Sequence, residues 1–377
     1  VTLPSFDGRV VKVIAGETAD LMTAAHINRI ATALPPCDVH RAFIGFGRKL
    51  LESNRRQALF EKMAERSQIE HRWSFIEPSL DEPDDFLDRQ HLYRWGRFPS
   101  TARRMQAYED YAPGLAVQAV EALELGAQLQ TITHVIVTSC TGLAAPGIDL
   151  LLVQRLGLNP SVERTVVGFM GCYAAMNALK LSRHIVRSEP SSKVLVVSIE
   201  LCSLHLQESR DLEQVLSFLV FGDGCAAAIV SAEPEGLSLD AFKALLLPDA
   251  ADQITWNIRD QGFDMFLSGK VPGSVGRALR SGRTDVLAGA ACQDIDLWAV
   301  HPGGRSVLDA VQSALELDDD ALVASREVLR RNGNMSSATI LFVLKALMER
   351  GERGMRGCGM AFGPGLTAET LLFSVAA

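Results

Sequence analysis

Three residues of this chain have the type and setting to do chemistry. Cys172 follows Gly168-Phe169-Met170-Gly171 and opens the Ala-rich stretch Tyr173-Ala174-Ala175-Met176-Asn177-Ala178. A cysteine at a helix start sees the positive end of the macrodipole, which favours the thiolate and lowers its pKa below ~8.5. Against this stands the bland reading of a free cysteine as an inert, buried hydrophobe, which suits the other six. His301 ends the strand-like Trp298-Ala299-Val300 and precedes Pro302-Gly303-Gly304, so its ring can project into a crevice at a strand's C-terminal end. A satisfied loop histidine is the alternative. Asn334 lies in Asn332-Gly333-Asn334-Met335-Ser336-Ser337, ahead of the apolar run Ile340 to Met348, where it could also be a simple N-cap. Taken separately, none of the three settles a role.

The elements that must position them belong to an α/β chain. From Ile132 onward, short β-branched runs alternate with helical patterns. Ile132 to Thr138, Thr165 to Val167 and Val194 to Ile199 read as strands, and Gly147 to Leu156 and Tyr173 to Val186 as helices. The order returns later: Ile295 to Val300 as strand, Ser306 to Leu315 and Met335 to Met348 as helices, then strands at Met360 to Phe362 and Glu369 to Val375. Pro146-Gly147 matches Pro302-Gly303, and Gly171-Cys172 matches Gly333-Asn334, which points to a duplicated unit. The expected division is an N-terminal half, residues 1–232, carrying the cysteine, and a C-terminal half, 233–377, carrying the histidine and asparagine. Earlier in the chain, Ala19 to Ala33 and Leu50 to Arg66 have helical spacing. The second carries Arg55, Arg56, Lys62 and Arg66, a basic stripe that by itself reads as a solvated face.

Composition narrows the class. The 377 residues are 47% hydrophobic and 22% charged, an ordinary globular balance. Lys plus Arg number 37 against 45 Asp plus Glu, a net charge of −8, which argues against a nucleic-acid-binding body. No apolar run approaches the ~18 residues that span a bilayer. Val1 to Phe6 has no basic segment leading into an apolar one, so no signal peptide is expected and a cytoplasmic location is. The seven cysteines are scattered and read as reduced thiols. Cys202-x-x-His205 has metal-like spacing, but no second ligand pair answers it, so no metal is expected.

Taken together, Gly171-Cys172, Phe221-Gly222-Asp223-Gly224, His301-Pro302-Gly303-Gly304, Gly333-Asn334-Met335-Ser336-Ser337 and Phe362-Gly363-Pro364-Gly365-Leu366-Thr367 occur in order. The chain resembles the type III polyketide synthases, the chalcone-synthase-like family of the thiolase superfamily. The resemblance implies a five-layered αβαβα fold from two duplicated halves, in a homodimer. It implies Cys172 as nucleophile, His301 and Asn334 as its helpers, and Phe221 and Met265 as gatekeepers. Phe263 and Phe266 compete with Met265 for that place. Cys140, Thr141, Ala145, Cys202, His205 and Ser336 fall at positions that shape the substrate cavity. Lys62, Arg66 and Ser306 fall where the family contacts CoA, which reverses the bland reading of the basic stripe. Substrates are then an acyl-CoA starter and malonyl-CoA, with no cofactor beyond the CoA thioesters. Ala145 and Met265 leave room for a flexible acyl chain, as in alkylpyrone and alkylresorcinol synthases. His205 could instead mark a small or polar starter, or be a surface histidine. The rival readings are a carrier-protein-dependent ketoacyl synthase III, an inactive partner subunit, and a cysteine hydrolase.

Overall fold

The computed structural model describes residues 23–79, 86–247 and 250–376. The opening Val1 to Phe6, and Ala19 to Met22 of the expected first helix, lie outside the described residues.

One run of residues shows how the layers arise. In the strand Val194–Leu201 every side chain is buried, and the two faces part company. Leu195, Val197, Ile199 and Leu201 pack into one apolar cluster, while Val194 and Val196 pack into another. A strand apolar on both faces must be covered on both faces. Asp223–Ser231 behaves alike: Cys225, Ala227 and Ile229 face one cluster, Ala226, Ala228 and Val230 the other.

Nine strands join in the order Leu297–Val300, Arg356–Gly363, Thr367–Val375, Leu237–Leu246, His26–Ala33, Asp223–Ser231, Val194–Leu201, His134–Ser139 and Glu163–Gly168. Pairing within each half is extensive. Among the described residues the strands of the two halves pair at His26 with Ser238 and Ile27 with Leu237, and an isolated bridge joins Phe221 to Asn334. Outside the first half lie the helices Thr101–Glu121 and Ile148–Leu156; outside the second lie Val271–Val286 and Arg305–Leu315. Between the halves, Ala174–Ser188 and Thr339–Met348 pack back to back against both. Three large apolar clusters thus separate five layers, as the αβαβα expectation required.

Each half runs strand, helix, strand, helix, and later helix, strand, strand. They differ between their second and third helices, where the first half has the edge strand Glu163–Gly168 and the second the helix Val323–Asn332. The repeat is also shifted from the motif match. A 3₁₀ turn at Gly171–Tyr173 opens the first central helix, and its counterpart is Ser336–Ala338, so Cys172 answers to Ser337 rather than Asn334.

The expected helix Ala19 to Ala33 is overturned from His26 on. That stretch is a strand, paired to Asp223–Ser231 along its length and to Leu237–Leu246 at its start. Tertiary pairing in the middle of a sheet outweighed local helical spacing. The basic helix begins at Asn54 rather than Leu50, with the Ser53 hydroxyl accepting from Arg56 N as N-cap.

Candidate active site

Cys172 is held at its helix start by a close approach of backbone. Gly171 has φ +69°, and a Cβ there would lie 2.1 Å from Pro364 Cδ. Only glycine lets the Gly363-Pro364-Gly365 loop press against the turn carrying the sulfur. Cys172, His301 and Asn334 all line one pocket, the first from one half of the fold and the other two from the other half.

The electrostatics differ from the sequence expectation. Burial pushes the Cys172 thiol up to about 12; the Glu200 carboxylate raises it further, while hydrogen bonds from Ser336 and Asn334 oppose both. Desolvation of the charged sulfur outweighs the helix dipole. Burial likewise pushes His301 down to about 3. Burial thus favours the uncharged form of both the thiol and the imidazole. His301 is 1% exposed and both its ring nitrogens lack a partner. Such an orphan costs free energy in the folded state and is explained if a substrate completes it.

Asn334 is oriented by its own oxygen. Oδ1 accepts from Ser336 N at 2.8 Å and from Thr339 Oγ1 at 3.4 Å. This leaves Nδ2, which donates to Gly303 O at 3.4 Å and also acts on the Cys172 sulfur, as the donor end in the pocket. Asn334 is not the N-cap, which is Met335; the Asn334 oxygen braces the turn before the helix while its nitrogen faces the pocket.

Phe221, Met265, Cys140, Thr141, Cys202 and Ser336 line the same pocket. Met265 pairs with Trp256 across the hairpin Ile254–Arg259 and Gly262–Leu267, and both side chains face in. The competitors do not. Phe263 is buried behind, stacked on His205 at 4.2 Å, and Phe266 is exposed.

Two expected cavity residues lie elsewhere. His205 is neither pocket wall nor surface. It is fully buried, with Nε2 donating to Thr141 O at 2.6 Å and Nδ1 accepting from Phe263 N at 3.0 Å. Two backbone partners fix its tautomer, and burial pushes its pKa down to about 3. With both nitrogens engaged it cannot ligate a metal beside Cys202, and no group of three or more His, Cys, Asp or Glu among the described residues could hold one. Ala145 is exposed, beside a cis peptide to Pro146, and does not line this chain's pocket.

Arg66 and Ser306 share a surface depression with Arg305, next to Val220 and Gly304 at the pocket's rim. Lys62 is exposed on the same helix as Arg66 but outside that depression. Arg305, whose Nη1 donates to Arg66 O at 3.2 Å, escaped the sequence reading. So did Trp256, whose Nε1 donates to Cys140 O at 2.7 Å. Glu200 was legible in principle, as one carboxylate in an otherwise apolar strand. It accepts from Cys140 N, Thr141 Oγ1 and Ser337 Oγ at 2.6 to 3.0 Å, and burial pushes it up to about 7.

Residues 30–234 match the N-terminal domain of chalcone and stilbene synthases, and residues 239–376 match their C-terminal domain. The chain belongs to the chalcone and stilbene synthase family. It is a type III polyketide synthase, a condensing acyltransferase. Among this synthase's relatives, the alpha-pyrone synthesis polyketide synthase-like Pks18 of Mycobacterium tuberculosis is 33% identical over 370 residues, covering 94% of this chain and 92% of its own. Bisdemethoxycurcumin synthase of Oryza sativa is 31% identical, covering 92% of both chains. Solved structures agree on the fold. The type III polyketide synthase domain of Steely1 from Dictyostelium has TM-score 0.84 at 22% identity, spanning 94% of this chain and all of its own. PKS-I of the brown alga Ectocarpus siliculosus has TM-score 0.81 at 26% identity, with the same coverage. Family membership removes the hydrolase reading and the ketoacyl synthase III reading.

Proposed function

We propose that this synthase loads an acyl-CoA on Cys172, extends it with malonyl-CoA and closes the chain to an alkylpyrone or alkylresorcinol. The observation that carries the reading is the meeting of Cys172, the partnerless His301 ring and the Asn334 amide in one largely apolar pocket. His301 takes the thiol proton as sulfur attacks the thioester carbonyl. The carbonyl–sulfur bond to CoA breaks, and CoA leaves with that proton. Malonyl-CoA then loses CO₂, and the enolate oxygen receives hydrogen bonds from His301 and Asn334 Nδ2. One such donor is typically worth about 3–4 kcal/mol. The enolate carbon attacks the acyl thioester and frees the cysteine. Phe221 walls this step from water.

An aliphatic starter is supported by the flexible Met265 side chain in the pocket and by the likeness to Pks18. The depression holding Arg66, Arg305 and Ser306 suits the phosphates of CoA; Lys62 lies one turn along and can reach them as a flexible charge. A homodimer is supported by the free edge strand Glu163–Gly168, whose Val166 is 50% exposed, and by Leu143 at 47%. Ala145 then acts on the partner's cavity rather than its own. No helix among the described residues is long and apolar enough to cross a membrane, and we place the reaction in the cytoplasm with no cofactor besides CoA thioesters.

The test is mass spectrometry of products from malonyl-CoA and a panel of aliphatic and aromatic acyl-CoAs. Medium or long aliphatic starters are expected to give pyrones or resorcinols. Preference for coumaroyl-CoA or acetyl-CoA overturns the product assignment, and condensation by Cys172→Ala overturns the nucleophile.

A further inference from the structure

The backbone from Phe218 to Gly222 leaves the helix Leu212–Leu219 and carries Phe221 to the pocket. One side of this strip is joined to Asn334. Asn334 N donates to Val220 O at 2.7 Å, and Gly222 N donates to Asn334 O at 3.0 Å. The other side meets Arg72, which is fully buried. Its Nη1 donates to Phe218 O at 2.7 Å and Phe221 O at 3.2 Å. Its Nε donates to His40 Nδ1 at 3.0 Å and its Nη2 to His40 O at 3.4 Å, with the guanidinium 5.3 Å over the Phe43 ring.

The neighbouring chain is bare where it must be. A Cβ on Gly333, at φ +68°, would lie 2.7 Å from Val220 O and 2.9 Å from Arg72 Cγ. So Arg72, the 218–222 strip and the Gly333-Asn334 turn lie in mutual contact, with Arg72 touching both of the others.

A buried guanidinium bonded to backbone carbonyls and an imidazole, with Asp38 and Asp223 acting only at longer range, is a costly core filler. An apolar side chain of similar volume fills space at less cost. What the planar fork adds is direction, because it fixes two carbonyls at one spacing.

We propose that Arg72 is a positioning residue that holds the 218–222 backbone, and through it Phe221 and Asn334, at the spacing that decarboxylation requires. The inference rests on the roles given to Phe221 and Asn334 above. His40 is its neutral acceptor: burial and the Arg72 charge hold that imidazole down to about 4.

The test uses Arg72→Lys, which keeps the charge and loses the fork, with rates divided by the fraction of Cys172 alkylated by iodoacetamide. Malonyl-CoA decarboxylation per titrated site should fall about tenfold or more, since small misplacement of reacting groups is costly. KM for the starter should stay within about twofold, because binding at the rim does not depend on Arg72. In an Asn334→Ala background the same change should add less than about twofold, as expected of residues acting as a unit. His40→Leu, which frees the guanidinium without removing it, should lower the same rate about threefold. A lower melting temperature with wild-type turnover per titrated site overturns the proposal, and so does full multiplication with Asn334→Ala. If Arg72→Lys yields no folded protein, His40→Leu decides: unchanged turnover per site overturns it. Full activity in Asn334→Ala overturns the reading of the site itself, a result distinct from a silent Arg72→Lys in an enzyme that needs Asn334.

Discussion

Cys172 sits where a helix dipole favours a thiolate, yet burial pushes its thiol up to about 12 and so opposes ionisation of the resting sulfur. Alkylation of the resting enzyme by iodoacetamide should therefore still be accelerating at about pH 9.5. A plateau near neutrality would instead mean a standing thiolate–imidazolium pair. Glu200 sharpens the point, because its charge raises the thiol and it ionises across about pH 7. Glu200→Gln should speed alkylation of Cys172, with a ratio to wild type that grows as pH rises through that window. An unchanged ratio would show that the carboxylate does not act on the sulfur. Asn334 requires a finer cut than alanine. Asn334→Ala removes both the acceptor that braces the turn and the donor; Asn334→Asp keeps the Oδ1 acceptor for Ser336 N and replaces only the donor. Both should slow malonyl-CoA decarboxylation by roughly 10²-fold, while only the alanine variant should also lower the melting temperature. Normal decarboxylation in Asn334→Asp would leave Asn334 as a brace of the turn alone.

The hairpin Ile254–Arg259 and Gly262–Leu267 shows what an element's anchoring does for the pocket it lines. His205 ties it down, joining Phe263 N to Thr141 O through one neutral ring. His205→Leu leaves both backbone groups unpaired at about 1–3 kcal/mol each, and the urea midpoint should drop accordingly. The linkage has a definite sign. The folded pKa, about 3, lies below the ordinary 6.5, so this histidine's contribution is present above pH 6.5 and is lost as pH falls towards 3. His205→Leu should remove that part of the acid sensitivity, seen as a smaller wild-type-minus-variant gap at pH 5 than at pH 7.5. A gap that does not narrow would mean the ring is not held neutral. The same hairpin marks the limit of the sequence. The strand read at Val194 to Ile199 was legible because an apolar run of that length fits a covered strand, and the meeting of Cys172, His301 and Asn334 in one pocket was legible because their flanking words are family words. His26–Ala33 was not, since HINRIATA becomes a strand only through the neighbours that flank it. Nor was the place of His205 or Ala145. A residue's face depends on which hairpin arrives from far along the chain, and Ala145 is exposed.

At the scale of the molecule, the exposed edge Glu163–Gly168 is where a second copy is expected, with Ala145 and Leu143 close by in sequence. Val166→Lys should convert a dimer to a monomer in analytical ultracentrifugation, because a buried lysine without a partner is costly. An unchanged dimer would place the interface elsewhere. Within one chain, the sulfur belongs to one half and the imidazole and amide to the other, while the strands of the two halves pair, among the described residues, at His26 and Ile27. The register between the halves is set by the middle helices, Ala174–Ser188 against Thr339–Met348, together with the bridge between Phe221 and Asn334 and the bond from Ser337 Oγ to Glu200. The molecule is built like a caliper, with the Cys172 sulfur on one jaw, the His301 and Asn334 side chains on the other, and the apolar middle layer between them. A core change as small as Ile340→Val, whose side chain does not line the pocket, should then be felt as a change in condensation rate per titrated site; an unchanged rate would show that the gap does not follow the thickness of the core.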